Sequence, residues 1–248
     1  MLLHLLLPLR VMYIFIGRRK NMTRIGSLEL GGEKNAARVA AVVDSIVPLQ
    51  DLIDLKKKGV DLLEVRVDLI DKPLDCIVKC LGDLKRAVNL PVIGTVRENE
   101  RTRKDRVAIF AGIMPHVDCI DIELGAPIAA RVQAQAKSAG KAVIVSEHDF
   151  EKTPDAKELR FIVDRAVVQG ADIVKIATTA KTEDDAWRLL RFAKSCKIPI
   201  VAFAMGEAGT FSRIKACEYG SLFTYGYITK PVAPGQLSAE ELINTIKR

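Results

Sequence analysis

Cysteine, histidine and aromatic residues are all scarce in this chain of 248 residues: five Cys, three His, one Trp and an aromatic share of 5%. Cys76, Cys80, Cys119, Cys196 and Cys217 form no CxxC pair. The odd count and scattered placement exclude a disulfide framework and point to reduced thiols in an intracellular, cytoplasmic protein. Cys76 and Cys80 stand four apart, but no His or Cys nearby completes a zinc ligand set, so both are predicted to pack on a helix. His4, His116 and His148 are far apart in sequence, and no metal site is expected from them. Charge of one sign is not in excess either. The formal net charge is +7, yet four basic residues precede Met22 and the first acidic residue is Glu29, which leaves residues 22–248 with about +3. So weakly basic a body excludes a dedicated nucleic-acid binder.

Long hydrophobic runs are few. Residues 1–17 are the most apolar stretch, broken by Pro8 and Arg10 and followed by Arg18-Arg19-Lys20. The run is short of the roughly 20 residues a membrane helix needs. It also lacks the basic start and small-residue cleavage site of a secretory signal. Residues 1–21 are therefore expected to be a leader outside the fold, with Met22 as the functional start; a signal anchor is the alternative. No linker and no internal repeat divides the rest, so 22–248 is expected to form one domain. A GxGxxG turn after the first strand, the mark of a dinucleotide site, is missing.

What the chain does have is alternation. Apolar, β-rich runs recur at 38–43, 61–67, 91–96, 117–124, 141–146, 171–177, 198–204 and 221–226. Most are nearly continuous rather than strictly alternating, as parallel strands buried on both faces require. Helix signals lie between them. Thr153-Pro154 reads as an N-cap and first turn with Gly170 past the far end, and Thr182/Asp185 and Ser238/Glu241 read as capping boxes. Gly59 and Gly140 close two more helices. Ile77, Val78, Leu81, Leu84 and Val88 recur at helical spacing as a core face. Arg101, Arg103, Lys104 and Arg106 read as a solvated helix face. Eight strand–helix units in about 210 residues predict a (β/α)8 barrel, with a doubly wound open sheet as the alternative.

In such a barrel the chemistry sits at the carboxyl ends of the strands. Charges recur there: Glu64, Arg66 and Asp68 on the second strand, Arg97 after the third, Glu123 on the fourth. Lys175 stands inside the sixth, between Val174 and Ile176. A lysine in that position is costly unless its charge is paired, with Glu64 or Glu123 as candidates, or its pKa is lowered. A desolvated amine near other cations attacks a carbonyl. His148, in a polar loop just past the fifth strand, is where a general acid–base would stand. The segments 206–213 and 233–236 form polar loops after strands seven and eight. They suit a phosphate, but Arg213 equally suits a planar carboxylate. The residues by themselves point to an imine-forming barrel enzyme for an anionic carbonyl compound, with the reaction open.

Six motifs in order carry a resemblance: Glu64-Val65-Arg66-Val67-Asp68; Arg97; Ser146-x-His148-Asp149-Phe150; Asp172-Ile173-Val174-Lys175-Ile176-Ala177; Met205-Gly206-x-x-Gly209-x-x-Ser212-Arg213; and Ala233-Pro234-Gly235-Gln236. From about residue 37 onward the chain resembles the type I 3-dehydroquinate dehydratases, (β/α)8 enzymes of the shikimate pathway. The resemblance implies that Lys175 forms a Schiff base with the substrate ketone and that His148 moves the protons. It also implies that Arg213 and Gln236 hold the carboxylate, and that Glu64, Arg66 and Arg97 orient ring hydroxyls. It implies a homodimer and no metal or dissociable cofactor. Two positions depart from the family pattern. Val232 stands where the family usually has a serine that contacts the carboxylate. Arg101 stands where it usually has a glutamate paired with the catalytic histidine, leaving Glu98 or Glu100 to serve. The alternatives are a class I aldolase for a phosphorylated sugar and a catalytically dead metabolite-binding barrel.

Overall fold

A computed structural model describes residues 22–32 and 36–247; the proposed leader, 1–21, lies outside them. Eight parallel strands form the barrel: β3 (Val39–Val43), β4 (Leu62–Arg66), β5 (Val92–Thr95), β6 (Cys119–Glu123), β7 (Ala142–Asp149), β8 (Ile173–Thr179), β9 (Ile200–Met205) and β10 (Thr224–Tyr227). Each falls within or overlaps one of the eight apolar runs. The helices that follow are α1 (Leu49–Lys58), α2 (Leu74–Val88), α3 (Arg106–Ile113), α4 (Ala129–Ser138), α5 (Ala156–Gln169), α6 (Glu183–Ser195), α7 (Thr210–Lys215) and α8 (Ala239–Ile246). The sheet runs from β10 through β3 to β9 in chain order. Between β9 and β10 the ladder gives way to other bonds. The Leu222 N–H donates to the Ile200 carbonyl at 2.9 Å. The Ser221 hydroxyl accepts from the Ala202 N–H at 3.1 Å and donates to the Phe223 carbonyl at 2.9 Å.

Two residues alternate along each strand, so one set faces the helices and the other the barrel interior. The outward set, such as Val65, Ile122, Val145 and Ile176, packs with the helices. The inward set begins apolar and turns polar toward the carboxyl ends. Leu62 is followed by Glu64 and Arg66, Cys119 by Asp121 and Glu123, Ile144 by Ser146 and His148, and Ile173 by Lys175. The register pairs inward residues with inward residues, Thr95 with Asp121 and Ser146 with Lys175. One parity therefore builds both the lower core and the site above it.

An antiparallel hairpin, β1 (Thr23–Ile25) and β2 (Leu28–Leu30), was not expected from the sequence. It drives Ile25 and Leu30, both fully buried, against Ala40, Leu62, Ile93 and Ile173, and so plugs the amino end of the barrel. Helix ends follow their caps, with one shift. The capping boxes at Thr182/Asp185 and Ser238/Glu241 are present, but α5 is capped by Asp155 with Glu158, not by Thr153. Thr153 instead bonds Thr178 Oγ1 at 2.8 Å, tying the loop down to β8. Two surface expectations also change. Cys76 is exposed rather than packed. Arg106, placed on a solvated face by the sequence, is 3% exposed. No helix among the described residues is long and apolar enough to cross a membrane.

Candidate active site

The inward residues near the carboxyl ends enclose a cavity of about 450 Å³. All seven residues to which the resemblance gives a role line it: Glu64, Arg66, Arg97, His148, Lys175, Arg213 and Gln236.

Lys175, on β8, is 4% exposed. Its Nζ donates to Asp121 Oδ2 at 3.0 Å and to Glu64 Oε1 at 3.3 Å. The cost of burying its charge is thus met by pairing. Glu64 is a partner as expected; Glu123 is not, and turns instead to Arg106 and, at 3.4 Å, Arg97. Asp121 is the functional-region residue the sequence reading missed. It is wholly buried, and its Oδ1 accepts from Ser146 Oγ at 2.6 Å and Arg97 Nη2 at 2.8 Å. Burial works to raise its pKa, but Arg97, Lys175 and the Ser146 bond outweigh that and hold the carboxyl well below the usual range. The signal was available: Asp121 lies two residues before Glu123 and therefore on the same inward face.

His148 is half-buried at the cavity rim and stacks on Phe150 at 6.0 Å. Burial, then the nearby charges of Arg97 and Lys175, push its pKa well below the ordinary histidine value. The imidazole is neutral at pH 7, the form that takes up a proton. Among the described residues no hydrogen bond joins a carboxylate to it. Arg101 donates to the carbonyls of Ile70 (2.6 Å) and Asp68 (2.7 Å) and so clamps the loop after β4. Glu98 lines the cavity but pairs with Arg103 at 3.3 Å, and Glu100 is an exposed residue that does not line it. Neither glutamate takes the place the resemblance leaves open beside His148.

Arg213, on the short helix α7, is 1% exposed, and its Nε and Nη2 have no hydrogen-bond partner. Burial alone pushes its pKa down to about 10. A buried guanidinium with free donors at a cavity wall is a seat for an anion. Gln236 stands nearby in the loop after β10, its Oε1 accepting from the Val232 N–H at 2.8 Å, which leaves its Nε2 as the donor end. Val232 presents an apolar side chain to the same cavity. The two loops are locked together. The Gly206 N–H donates to the Pro234 carbonyl at 3.1 Å, and a Cβ at Gly235 (φ +69°) would fall 2.3 Å from the Gly206 carbonyl. Arg66 is half-buried and held by Asp68 through both Nε (3.0 Å) and Nη2 (2.6 Å).

A buried amine held between carboxylates, a neutral imidazole and an unpaired guanidinium, all at the mouth of one (β/α)8 barrel, are the groups that imine formation with an anionic carbonyl compound and a proton transfer beside it require. The family model for Type I 3-dehydroquinase matches residues 43–247, and the chain belongs to that family. A 3-dehydroquinate dehydratase of Methanococcoides burtonii is 36% identical over 230 residues, covering 89% of this chain and 97% of that one. One from Methanocella arvoryzae is 34% identical over 212 residues, covering 83% and 95%. Among solved structures, the type I 3-dehydroquinate dehydratase of Clostridium difficile, determined with covalently modified comenic acid, superposes with a TM-score of 0.79. It is 26% identical over 92% of this chain and 98% of that one. The Aquifex aeolicus 3-dehydroquinate dehydratase gives 0.74 at 30% identity, over 85% and 97%.

Proposed function

We propose that this chain dehydrates 3-dehydroquinate to 3-dehydroshikimate through a Schiff base on Lys175, a hydro-lyase step of the shikimate pathway that supplies aromatic amino acids. The observation that carries the reading is the pairing of Lys175 and Arg213 in one cavity: a buried amine for the ketone and an unpaired guanidinium for the carboxylate. The Lys175 ammonium and the C3 ketone condense to an iminium and one water, with the positive charge kept on Nζ. The iminium acidifies the C2 proton, which neutral His148 removes; the electron pair is held as an enamine. The His148 imidazolium then protonates the departing C1 hydroxyl, and a second water leaves. Hydrolysis of the product iminium returns Lys175.

Arg213 with Gln236 holds the carboxylate, and Glu64, Arg66 and Arg97 face the ring hydroxyls. Asp121 fixes Lys175 and Arg97 relative to each other. A phosphorylated-sugar aldolase fits less well. From the end of β9 onward the described residues lining the cavity include one cation, Arg213, beside Met205, Val232, Ala233 and Gln236, whereas a phosphate dianion calls for more donors. The odd number and scattered placement of the cysteines, with no CxxC pair, support a reducing, cytoplasmic setting. Sedimentation of the purified chain decides the homodimer that the family resemblance implies. The direct test of function is ultraviolet detection of the conjugated enone when the chain meets 3-dehydroquinate. Enone formation that is lost in Lys175→Ala is the expected result, and a catalytically dead barrel would give none from either protein.

A further inference from the structure

Beneath the polar residues of the site lies a floor of aromatic rings. Lys175 Nζ stands 4.2 Å above the ring centroid of Tyr225, and Arg213 Cζ stands 4.5 Å above that of Phe203. The two rings meet edge to face at 5.7 Å, and Phe223 supports Tyr225 in the same way at 5.3 Å. All three are inward residues of β9 and the β10 region and are buried. Each buried cation of the site therefore rests on a π face, whose negative quadrupole attracts positive charge without accepting a hydrogen bond.

That difference matters to the imine. The Lys175 ammonium has three N–H donors and uses two of them, on Asp121 and Glu64. After condensation the iminium keeps the charge but only one N–H, so it can no longer serve both carboxylates as the ammonium did. A π face is indifferent to how many protons the nitrogen carries. The Tyr225 hydroxyl, by contrast, is buried and has no hydrogen-bond partner among the described residues, Lys175 included.

We propose that the face of Tyr225 stabilises the positive charge on Lys175 Nζ through imine formation, as a neighbour whose attraction needs no N–H donor and so is unchanged when two of the three are lost. The inference rests on Lys175 being the imine lysine. The experiment places at position 225 a phenylalanine bearing zero, one, two or three ring fluorines. Shape is nearly kept while the π face is drained stepwise. With 3-dehydroquinate present, the rate of borohydride inactivation reads the iminium population, and intact mass reads the adduct. The rate is expected to fall with each fluorine, to about one-tenth across the series. A flat series, whether at the native level or below it, overturns the role of the ring. If the native protein itself gives no adduct, or one on another lysine, the failure belongs to the imine assignment and not to the ring.

Discussion

Asp121 Oδ2 lies 3.0 Å from Lys175 Nζ, while the other oxygen of the same carboxylate is taken by Ser146 and Arg97. One wholly buried anion therefore sets the spacing of two cations, Lys175 on β8 and Arg97 just past the end of β5. Asp121→Asn keeps the shape and removes the charge. Breaking a buried pair from one side costs about 3–5 kcal/mol, and urea unfolding at pH 7 should show a loss of that order. The pH dependence follows from the sign of the shift. Folding lowers the Asp121 pKa, so its contribution is complete above the ordinary carboxyl range, near pH 4, and is lost as pH falls below it. The gap between native and variant protein should narrow between pH 5 and pH 3. A constant gap would mean that the charge is not what Asp121 contributes.

His148 gives a second pH test. Its folded pKa is depressed, first by burial and then by Arg97 and Lys175. The unfolded chain takes up a proton near pH 6.5 that the folded chain does not, so His148 costs stability progressively as pH falls below that value. Between pH 7.5 and 5.5 the native protein should therefore lose stability through this residue. His148→Asn should remove that part of the slope, as read by urea unfolding at several pH values. The same shift should place the acid limb of kcat/KM below pH 6.5.

The eight strands were legible because parallel strands buried on both faces read as continuous apolar runs, and Lys175 stood out against one of them. Asp121 did not, because in Cys119-Ile120-Asp121-Ile122-Glu123 the charge at the strand end stands out, whereas that of Asp121 emerges only from the inward parity it shares with Glu123. The β1–β2 hairpin is only three residues a side, below the length at which periodicity speaks; Thr-Arg-Ile and Leu-Glu-Leu around Gly26-Ser27 were the available signal. Arg106 looked solvated because it sits in a basic cluster. Its burial comes from partners distant in sequence, the Val96 carbonyl at 2.7 Å and Glu123. Tyr225 read as one more apolar strand residue, since only the closed barrel brings it under Lys175.

The proposed carboxylate seat should show a trade between function and stability. Arg213 is a buried charge with no carboxylate partner among the described residues, and its Nε and Nη2 make no hydrogen bond there. Arg213→Met should raise the unfolding free energy of the substrate-free protein by about 1–3 kcal/mol while kcat/KM falls at least tenfold. Val232→Ser should act in the opposite direction. A hydroxyl beside Gln236 adds a donor worth about 0.5–1.5 kcal/mol, which kcat/KM would report as a rise of a few-fold. If Val232→Ser weakens turnover instead, the pocket is built around the apolar contact.

A chain begun at Met22 should fold and turn over as the full chain does. The hairpin plug starts at Thr23, and every proposed site residue lies later. Thermal unfolding and kcat/KM of the two chains, measured side by side, check this. A lower midpoint or lower activity for the shorter chain would assign residues 1–21 a part in the domain.

The central claim is that Lys175 bonds covalently to the ketone. Borohydride added to the protein in the presence of 3-dehydroquinate, followed by peptide mass mapping, addresses that bond itself. The account predicts irreversible loss of activity, one reduced ligand per chain, and its mass on the peptide containing Lys175. No adduct, or an adduct on any other lysine, would contradict it.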